Sequence, residues 1–165
     1  MTTPATPTTT FRVTGLSARP FEALYGLSDE ALAARHVLRY RADARPGFPD
    51  RIELREAEIG ESVLLVNFAH LPDEGPYRSS HAVFVIEGAT RTFDATGVVP
   101  EVLRPRMLSL RAFGDDGLMV DADLVDGRAV EGLIARFFAD PQVAYLHAHY
   151  ARRGCFACRI DRADA

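Results

Sequence analysis

The segment from Val143 to Arg162 constrains the fold more than any other stretch, because its pattern predicts two paired β-strands. Tyr145, His147 and His149 are spaced by two residues, so in a strand their side chains share one face. The residues between them are mostly apolar and predict a face directed to the core. Arg152-Arg153-Gly154 has the form of a three-residue hairpin loop, in which Gly supplies the positive φ. The segment therefore predicts a hairpin with one face that carries histidines.

A loop of this length also predicts how the two strands pair. The predicted pairs are Ala151 with Cys155, His149 with Ala157 and His147 with Arg159. Cys155 is then expected on the histidine face. The core face receives Phe156, Cys158 and Ile160. Because Cys155 and Cys158 would point to opposite faces about 10 Å apart, no disulfide is expected between them.

The rest of the chain consists of short runs with strand patterns and few with helical spacing. Apolar residues at helical spacing predict one long amphipathic helix over about 128–138, and shorter helices are expected between Arg19 and Arg35. A crossover through the long helix would place Leu118 to Val125 parallel to Val143 to Ala151. The predicted fold is a single α+β domain, 11–165, with a mixed and mainly antiparallel sheet, preceded by a disordered Thr/Pro tail, 1–10.

Met107 to Phe113 and Leu118 to Val125 predict a second hairpin. Its polar side is expected to carry Arg111, Asp121 and Asp123 as cross-strand ion pairs exposed to solvent.

Charge and composition exclude several kinds of function. The net charge of −4 gives no overall positive field, so nucleic acid is not an expected partner. All 19 basic residues are Arg, which excludes chemistry that requires a catalytic Lys. No apolar run approaches the roughly 20 residues that cross a bilayer, and the N-terminus does not resemble a signal peptide. We therefore expect no membrane partner and a cytoplasmic location.

Six stretches together resemble a bacterial family known only as domain-of-unknown-function family twelve hundred and three. They are Pro46 to Pro49, Asn67 to His70, Pro76 to Val85, Leu108 to Arg111, Met119 to Asp123 and Ala139 to Arg162. The resemblance implies a small bacterial protein and brings no activity, cofactor or catalytic residue. Family members often have Asn where this chain has Tyr150, which argues against a role for residue 150. Function must therefore be inferred from side-chain chemistry.

The hairpin offers two kinds of reactive site. His147 and His149 could bind zinc or iron, with Cys155 or His81 completing the ligand set. Cys155 could instead act as a nucleophile with either hairpin histidine as its base. The alternative to both is that the histidines are structural or exposed to solvent.

The segment Tyr77-Arg78-Ser79-Ser80-His81 is a second candidate, because it brings polar groups together where a loop enters a strand. Arg78 could bind a carboxylate or phosphate and His81 could exchange a proton, with Tyr77, Ser80 and the hairpin residue Arg152 as further ligand contacts. The alternative is a turn in which Arg78 pairs with an acidic neighbour, Asp73 or Glu74.

The leading hypothesis joins both segments into one pocket for a small anionic molecule, with His81, His147, His149 and Cys155 as the candidate catalytic groups. Whether the protein is an enzyme stays open. One alternative is a metal-dependent enzyme that uses His147 and His149. The other is a non-enzymatic interaction module, and a homodimer is compatible with either.

Overall fold

The computed structural model describes residues 10–163, which contain nine strands and three short α-helices. The strands are β1 Phe11–Thr14, β2 Leu38–Arg41, β3 Ser62–Leu71, β4 Ser79–Ile86, β5 Asp94–Thr96, β6 Met107–Phe113, β7 Met119–Asp126, β8 Tyr145–Tyr150 and β9 Phe156–Arg162. The helices are α1 Arg19–Glu22, α2 Asp29–Ala33 and α3 Val130–Phe138. Single 3-10 turns cover Glu101–Leu103 and Gly127–Ala129. The predicted tail falls mostly on residues 1–9, which lie outside the described part.

Six strands form the larger sheet in the order β5-β1-β9-β8-β6-β7. One face of this sheet is apolar, because alternate residues of its central strands are Leu, Ala and Ile, and α3 packs on that side. The core between them is formed by Leu108, Leu110, Val130, Ile134, Phe137, Leu146, Ala148, Cys158 and Ile160, among others. Burying a side chain of this size contributes roughly 1.5–3 kcal/mol, so this layer holds the helix in place.

The smaller sheet has the order β2-β3-β4 and a second apolar cluster with α1 and α2. It covers part of the opposite face of the larger sheet. Phe68 of β3 lies 6.5 Å from Phe156 of β9, ring centroid to ring centroid. The two sheets therefore meet face to face near the β8–β9 hairpin.

The predicted α+β class with mainly antiparallel strands is confirmed, but the strands form two sheets instead of one. Every strand pair within residues 10–163 is antiparallel. β7 and β8 do run in the same direction, yet β6 lies between them and is antiparallel to both. The crossover through α3 therefore passes over one strand, and the helix has only nine residues because a 3-10 turn takes its first positions.

The β8–β9 hairpin is close to the prediction, with one difference that changes the contents of the histidine face. His147 lies opposite Arg159 and Gly154 has φ of +78°, as predicted. An irregularity after Ala148 then shifts the register, so His149 lies opposite Phe156 instead of Ala157. A bulge of one residue exchanges the faces beyond it. The expectation for Phe156 was therefore wrong, since its ring lies with the histidines.

The predicted ion pairs on the β6–β7 hairpin were also wrong. The register places Arg111 opposite Ala122 and Leu110 opposite Asp123, so the arginine and this aspartate occupy opposite faces. Asp123 pairs with Arg136 of α3 at 2.7 Å. Arg111 is consequently on the face of the larger sheet that carries the histidines.

The helices of the described residues are all short. None of them is long and apolar enough to cross a membrane.

Candidate functional site

Histidines from three strands meet where the two sheets face each other. His70 is near the end of β3 and His81 near the start of β4, and these strands pair directly, with an irregularity between Phe68 and Leu71. The two imidazoles stack with their centroids 5.2 Å apart. Because β3 and β4 are neighbours, the hydrogen bonds between the strands hold these two side chains together.

β8 contributes the third histidine from the other sheet. The His149 ring lies 5.0 Å from that of His70 and 5.7 Å from that of His81, between centroids. One ring nitrogen from each of the three histidines lies within 4.8 Å of the others. The packing of the two sheets thus converts histidines that are distant in sequence into one compact group, which we call the histidine triad.

Two triad members have one ring nitrogen fixed by a hydrogen bond and the other free. His149 Nδ1 lies 3.0 Å from the carbonyl oxygen of Gly154, which can only accept, so Nδ1 donates and Nε2 carries the lone pair of the neutral ring. His70 Nε2 is 2.8 Å from Ser79 Oγ. Within residues 10–163, His149 Nε2 and His70 Nδ1 are buried and have no hydrogen-bond partner. Buried nitrogens of this kind need a partner, because leaving them unpaired is unfavourable.

Burial keeps these imidazoles uncharged. It lowers the pKa of His70 to about 4 and that of His149 to about 3, and it also lowers the pKa of His81. Positive charge on Arg111 and on neighbouring histidines adds to the effect. At neutral pH the triad is therefore neutral, the state in which imidazole binds metal ions.

An aromatic wall shields the triad on one side. The Phe156 ring stacks on His70 at 5.2 Å and meets His149 edge-on at 5.7 Å, between centroids. Its position there is a consequence of the register shift in the β8–β9 hairpin. The wall excludes water from two of the three imidazoles, and half-buried His81 forms the more open side.

The sequence model described as "Protein of unknown function (DUF1203)" matches residues 47–162, well over half of the chain. The chain belongs to the DUF1203 family. The matched region includes all three triad histidines and the strands that carry them. Comparisons with curated proteins and with solved structures found no match.

His147, predicted as a metal ligand in this DUF1203 chain, lies beside the triad. Its ring centroid is 5.9 Å from that of His70 and 6.5 Å from that of His149. Burial lowers its pKa to about 3, and its Nδ1 is buried without a partner in the described residues. The ring packs between Tyr145 and Phe156. Predicted His81 and His149 thus lie together, whereas His147 extends the row toward Tyr145.

Cys155 is not on the histidine face. Its Sγ accepts a hydrogen bond of 3.1 Å from Nη2 of Arg51, and the side chain packs against the core beneath α3. Neither hairpin histidine approaches it closely enough in the described contacts to serve as its base. Arg152 is exposed in the hairpin loop.

The Tyr77 segment contributes to the triad only through its last residues. The Tyr77 ring packs edge-on against Phe113, and exposed Arg78 pairs with Glu74, as the alternative prediction had it. Ser80 is exposed and lines a shallow cavity on the outer face of the smaller sheet. Only Ser79 and His81 turn toward the triad.

A cavity of about 390 Å³ lies beside Tyr77 and Arg78, and it is also lined by Asp115 and Tyr145. Tyr145 precedes His149 by four residues, which is about 13 Å along a strand. The two predicted clusters therefore meet at His81 and His149, while this cavity lies at the other end of the histidine row.

Sequence reasoning missed two residues of the site, His70 and Phe156. His70 falls in the Asn67 to His70 stretch of the family resemblance, and it alternates with Phe68 on one face of β3. A lone histidine at the end of an apolar strand was the available signal. Nothing local indicated that its partner would come from the other sheet.

Proposed function

We propose that this DUF1203 chain is a metal-dependent protein in which His70, His81 and His149 bind one divalent ion, zinc or ferrous iron. The observation that carries the proposal is a pair of buried nitrogens in a group of three imidazoles, His149 Nε2 and His70 Nδ1, which have no hydrogen-bond partner among residues 10–163. A bound ion supplies both partners at once. The small anionic ligand expected from the sequence is then a ligand of the ion.

The hydrogen bonds of the triad suit this role. Metal-bound histidines usually donate their second ring N–H to a carbonyl or hydroxyl oxygen, which orients the ring and fixes its tautomer. The Gly154 carbonyl does this for His149, and Ser79 Oγ can accept from Nε2 of His70. Both rings then present a lone pair on the nitrogen that is free.

The ring nitrogens of the triad must move closer together to bind one ion. With Zn–N bonds of about 2.0–2.1 Å, tetrahedral geometry places ligand nitrogens about 3.4 Å apart. One nitrogen of each triad ring lies within 4.8 Å of the other two, so binding one ion requires side-chain rotations that bring the rings closer together. The pair His147 and His149 is less suited, because its ring centroids are 6.5 Å apart.

Three neutral imidazoles leave the fourth position of a tetrahedral ion open. Sites with three protein ligands and an open position are typical of catalytic zinc, which polarises a bound oxygen and lowers the pKa of bound water. Of the alternatives predicted from the sequence, a metal-dependent enzyme therefore has the best support, with His70 and His81 in place of His147. We infer hydrolytic or other Lewis-acid chemistry on a small anion as its reaction. The cavity beside Tyr77 suits an anion poorly, because Asp115 and Asp116 line it and Arg78 is already paired.

The test is the metal content and metal affinity of the purified protein. We expect one zinc or cobalt ion per chain, with the visible spectrum of tetrahedral Co²⁺. His70→Gln, His81→Gln and His149→Gln should each weaken binding by at least a hundredfold, because each removes one of three protein ligands.

The control is His36→Asn, since His36 is exposed and outside the triad, and Asn tolerates its positive φ of 58°. Binding in this variant should equal that of the wild type. Stoichiometric binding that survives all three triad substitutions, or no binding at micromolar metal in the wild type, would overturn the proposal.

A further inference from the structure

Arg111 is a half-buried arginine on the same face as the histidines. It lies directly opposite His147 in the β6–β8 pair, and Ser109 of the same strand lies opposite His149. Directly opposed residues of antiparallel strands point to the same side, and diagonal neighbours are about 7–8 Å apart. The side chain of Arg111 therefore begins next to the triad and on the same face of the sheet.

Unlike most arginines of this protein, Arg111 pairs with no carboxylate among residues 10–163. Burial alone lowers its pKa, with no acidic group contributing. By contrast Arg159, which flanks His147 on the other side, pairs with Asp161 at 2.8 Å. Partly buried guanidinium groups normally have an anionic partner, because desolvation of the charge is otherwise uncompensated. An anion that is absent from the chain itself is the natural candidate.

The positive charge of Arg111 is close to the histidines of this face, because Arg111 lies directly opposite His147, which packs beside the triad. A positive charge so close to the triad disfavours binding of a metal ion that has no anionic ligand. It favours an ion that carries an anionic ligand, since the anion lies between two positive charges.

We propose that Arg111 binds the oxyanion of the substrate, a carboxylate or phosphate group, whose second oxygen occupies the open position of the triad metal. The inference rests on the proposed function and adds to it the class of substrate. The guanidinium donates charge-assisted N–H hydrogen bonds to the oxygen that does not bind the ion. Arg111 acts as a binding and orienting group that takes no proton.

The experiment uses the Co²⁺-loaded full chain at pH 7, titrated with acetate, oxalate and phosphate while the visible spectrum is recorded. Arg111→Gln is expected to weaken binding of the preferred oxyanion about ten- to a hundredfold, as for a lost charge-assisted hydrogen bond. Arg111→Lys should retain part of the affinity, since it keeps the charge and loses the paired donors. The order of affinities among the three anions identifies the head group as carboxylate or phosphate.

Two controls separate this inference from the proposed function. Imidazole is a neutral ligand of the open metal position, so its affinity for the Co²⁺ protein should be unchanged by Arg111→Gln. Arg159→Gln, an arginine of the same face that already has an acidic partner, should leave oxyanion binding unchanged. Retained Co²⁺ and imidazole binding also show that each variant is folded.

The possible failures are distinguishable. If wild type and Arg111→Gln bind oxyanions equally while both bind Co²⁺, the role of Arg111 is overturned and the metal site stands. If the wild type binds no Co²⁺, the proposed function and the inference fall together. Weaker oxyanion binding in Arg159→Gln, to the same extent as in Arg111→Gln, would show a general charge effect and would also overturn the inference.

Discussion

Two groups of buried polar residues contact Phe156 and differ in one respect: Arg51 with its neighbour Asp50 at the Phe156 carbonyl, and the histidine triad at the Phe156 ring. Asp50 and Arg51 are almost fully buried, as are His70 and His149. Asp50 accepts hydrogen bonds from the backbone N–H groups of Ile86 and Ile52 at 2.8 and 3.1 Å, and from that of Glu53. The acidic group therefore has partners on both of its oxygens.

Arg51 is satisfied in the same way. Its guanidinium donates to the carbonyl oxygens of Phe156 and Pro49 and to Sγ of Cys155, and it lies over the Tyr150 ring. In the triad, by contrast, one nitrogen on each of two buried rings has no hydrogen-bond partner in the part of the chain that the structure describes. The difference indicates that Asp50 and Arg51 stabilise the fold, while the histidines are available to bind a ligand.

The largest expected effect comes from removing the carboxylate of Asp50, whose hydrogen bonds are all made. Asp50→Ala would leave the two buried N–H groups of Ile52 and Ile86 and the half-buried one of Glu53 without an acceptor, and each unsatisfied buried group costs about 1–3 kcal/mol. We expect a loss of about 3–5 kcal/mol in the free energy of unfolding, measured by urea denaturation. Asp50→Asn keeps one carbonyl acceptor and should lose less. Equal stability of Asp50→Ala and wild type would refute the structural role.

A metal ion bound by the histidine triad should stabilise the folded protein. At a free zinc concentration a hundred times the dissociation constant, binding to the folded state alone adds about 2.7 kcal/mol. The melting temperature should therefore rise with zinc in the wild type and stay constant in His149→Gln. Asp50→Asn should keep the full increase, because it leaves the triad intact; a loss of the increase there would remove the distinction between the two groups.

The third expected effect is on the pH dependence of stability. The folded-state pKa values of His147 and His149 are lowered to about 3, against about 6.5 when unfolded, so below pH 6.5 the unfolded chain binds more protons. The contribution of these neutral histidines to the free energy of unfolding is fully present above pH 6.5 and is lost as the pH falls toward their folded-state pKa values. Between pH 7 and pH 5, each of the two should lower the free energy of unfolding by about 2 kcal/mol.

Urea unfolding of the metal-free protein at pH 7, 6 and 5 measures this loss. His147→Phe removes one of the titrating groups and keeps a ring of similar size, so its stability should fall less steeply by about 2 kcal/mol over the same interval. Parallel curves for wild type and His147→Phe would show that burial does not hold His147 neutral.

The same comparison explains how much the sequence could predict. Alternation along β8 indicated the face that carries His147 and His149, and the polar groups around the start of β4 indicated His81, because these patterns are local. His70 could not be placed, since its contact with His149 depends on how two sheets pack. Register was the other limit. A single bulge moved Phe156 to the histidine face.

Edge strands set a further limit on prediction from hydrophobic pattern. β7 lies at the edge of the larger sheet, and its apolar residue Leu124 is 60% exposed. The expectation that the polar residues of this hairpin share one side therefore gave the wrong face for Asp123. Arg111 was assigned to a structural ion pair for the same reason, and its place beside the triad became visible only with the register of β6 and β8.

The smallest expected effect concerns Ser79. Its hydroxyl is the hydrogen-bond partner of one His70 nitrogen, and the other His70 nitrogen is then free to bind the metal ion. Ser79→Ala removes the oxygen that lies 2.8 Å from His70 Nε2 and leaves the ring free to adopt either tautomer. Loss of such an orienting partner typically lowers metal affinity 10- to 100-fold. We expect about tenfold weaker zinc binding, with little change in the stability of the metal-free protein, because the cost of a second unpaired nitrogen on His70 is offset by the removal of a half-buried hydroxyl. Ser80→Ala is the matched control, since the adjacent serine is exposed and faces away from the triad. Equal zinc affinities of the two serine variants would mean that the hydrogen bond to His70 serves the fold alone, and the contrast between satisfied and unsatisfied nitrogens would no longer assign the triad to metal binding.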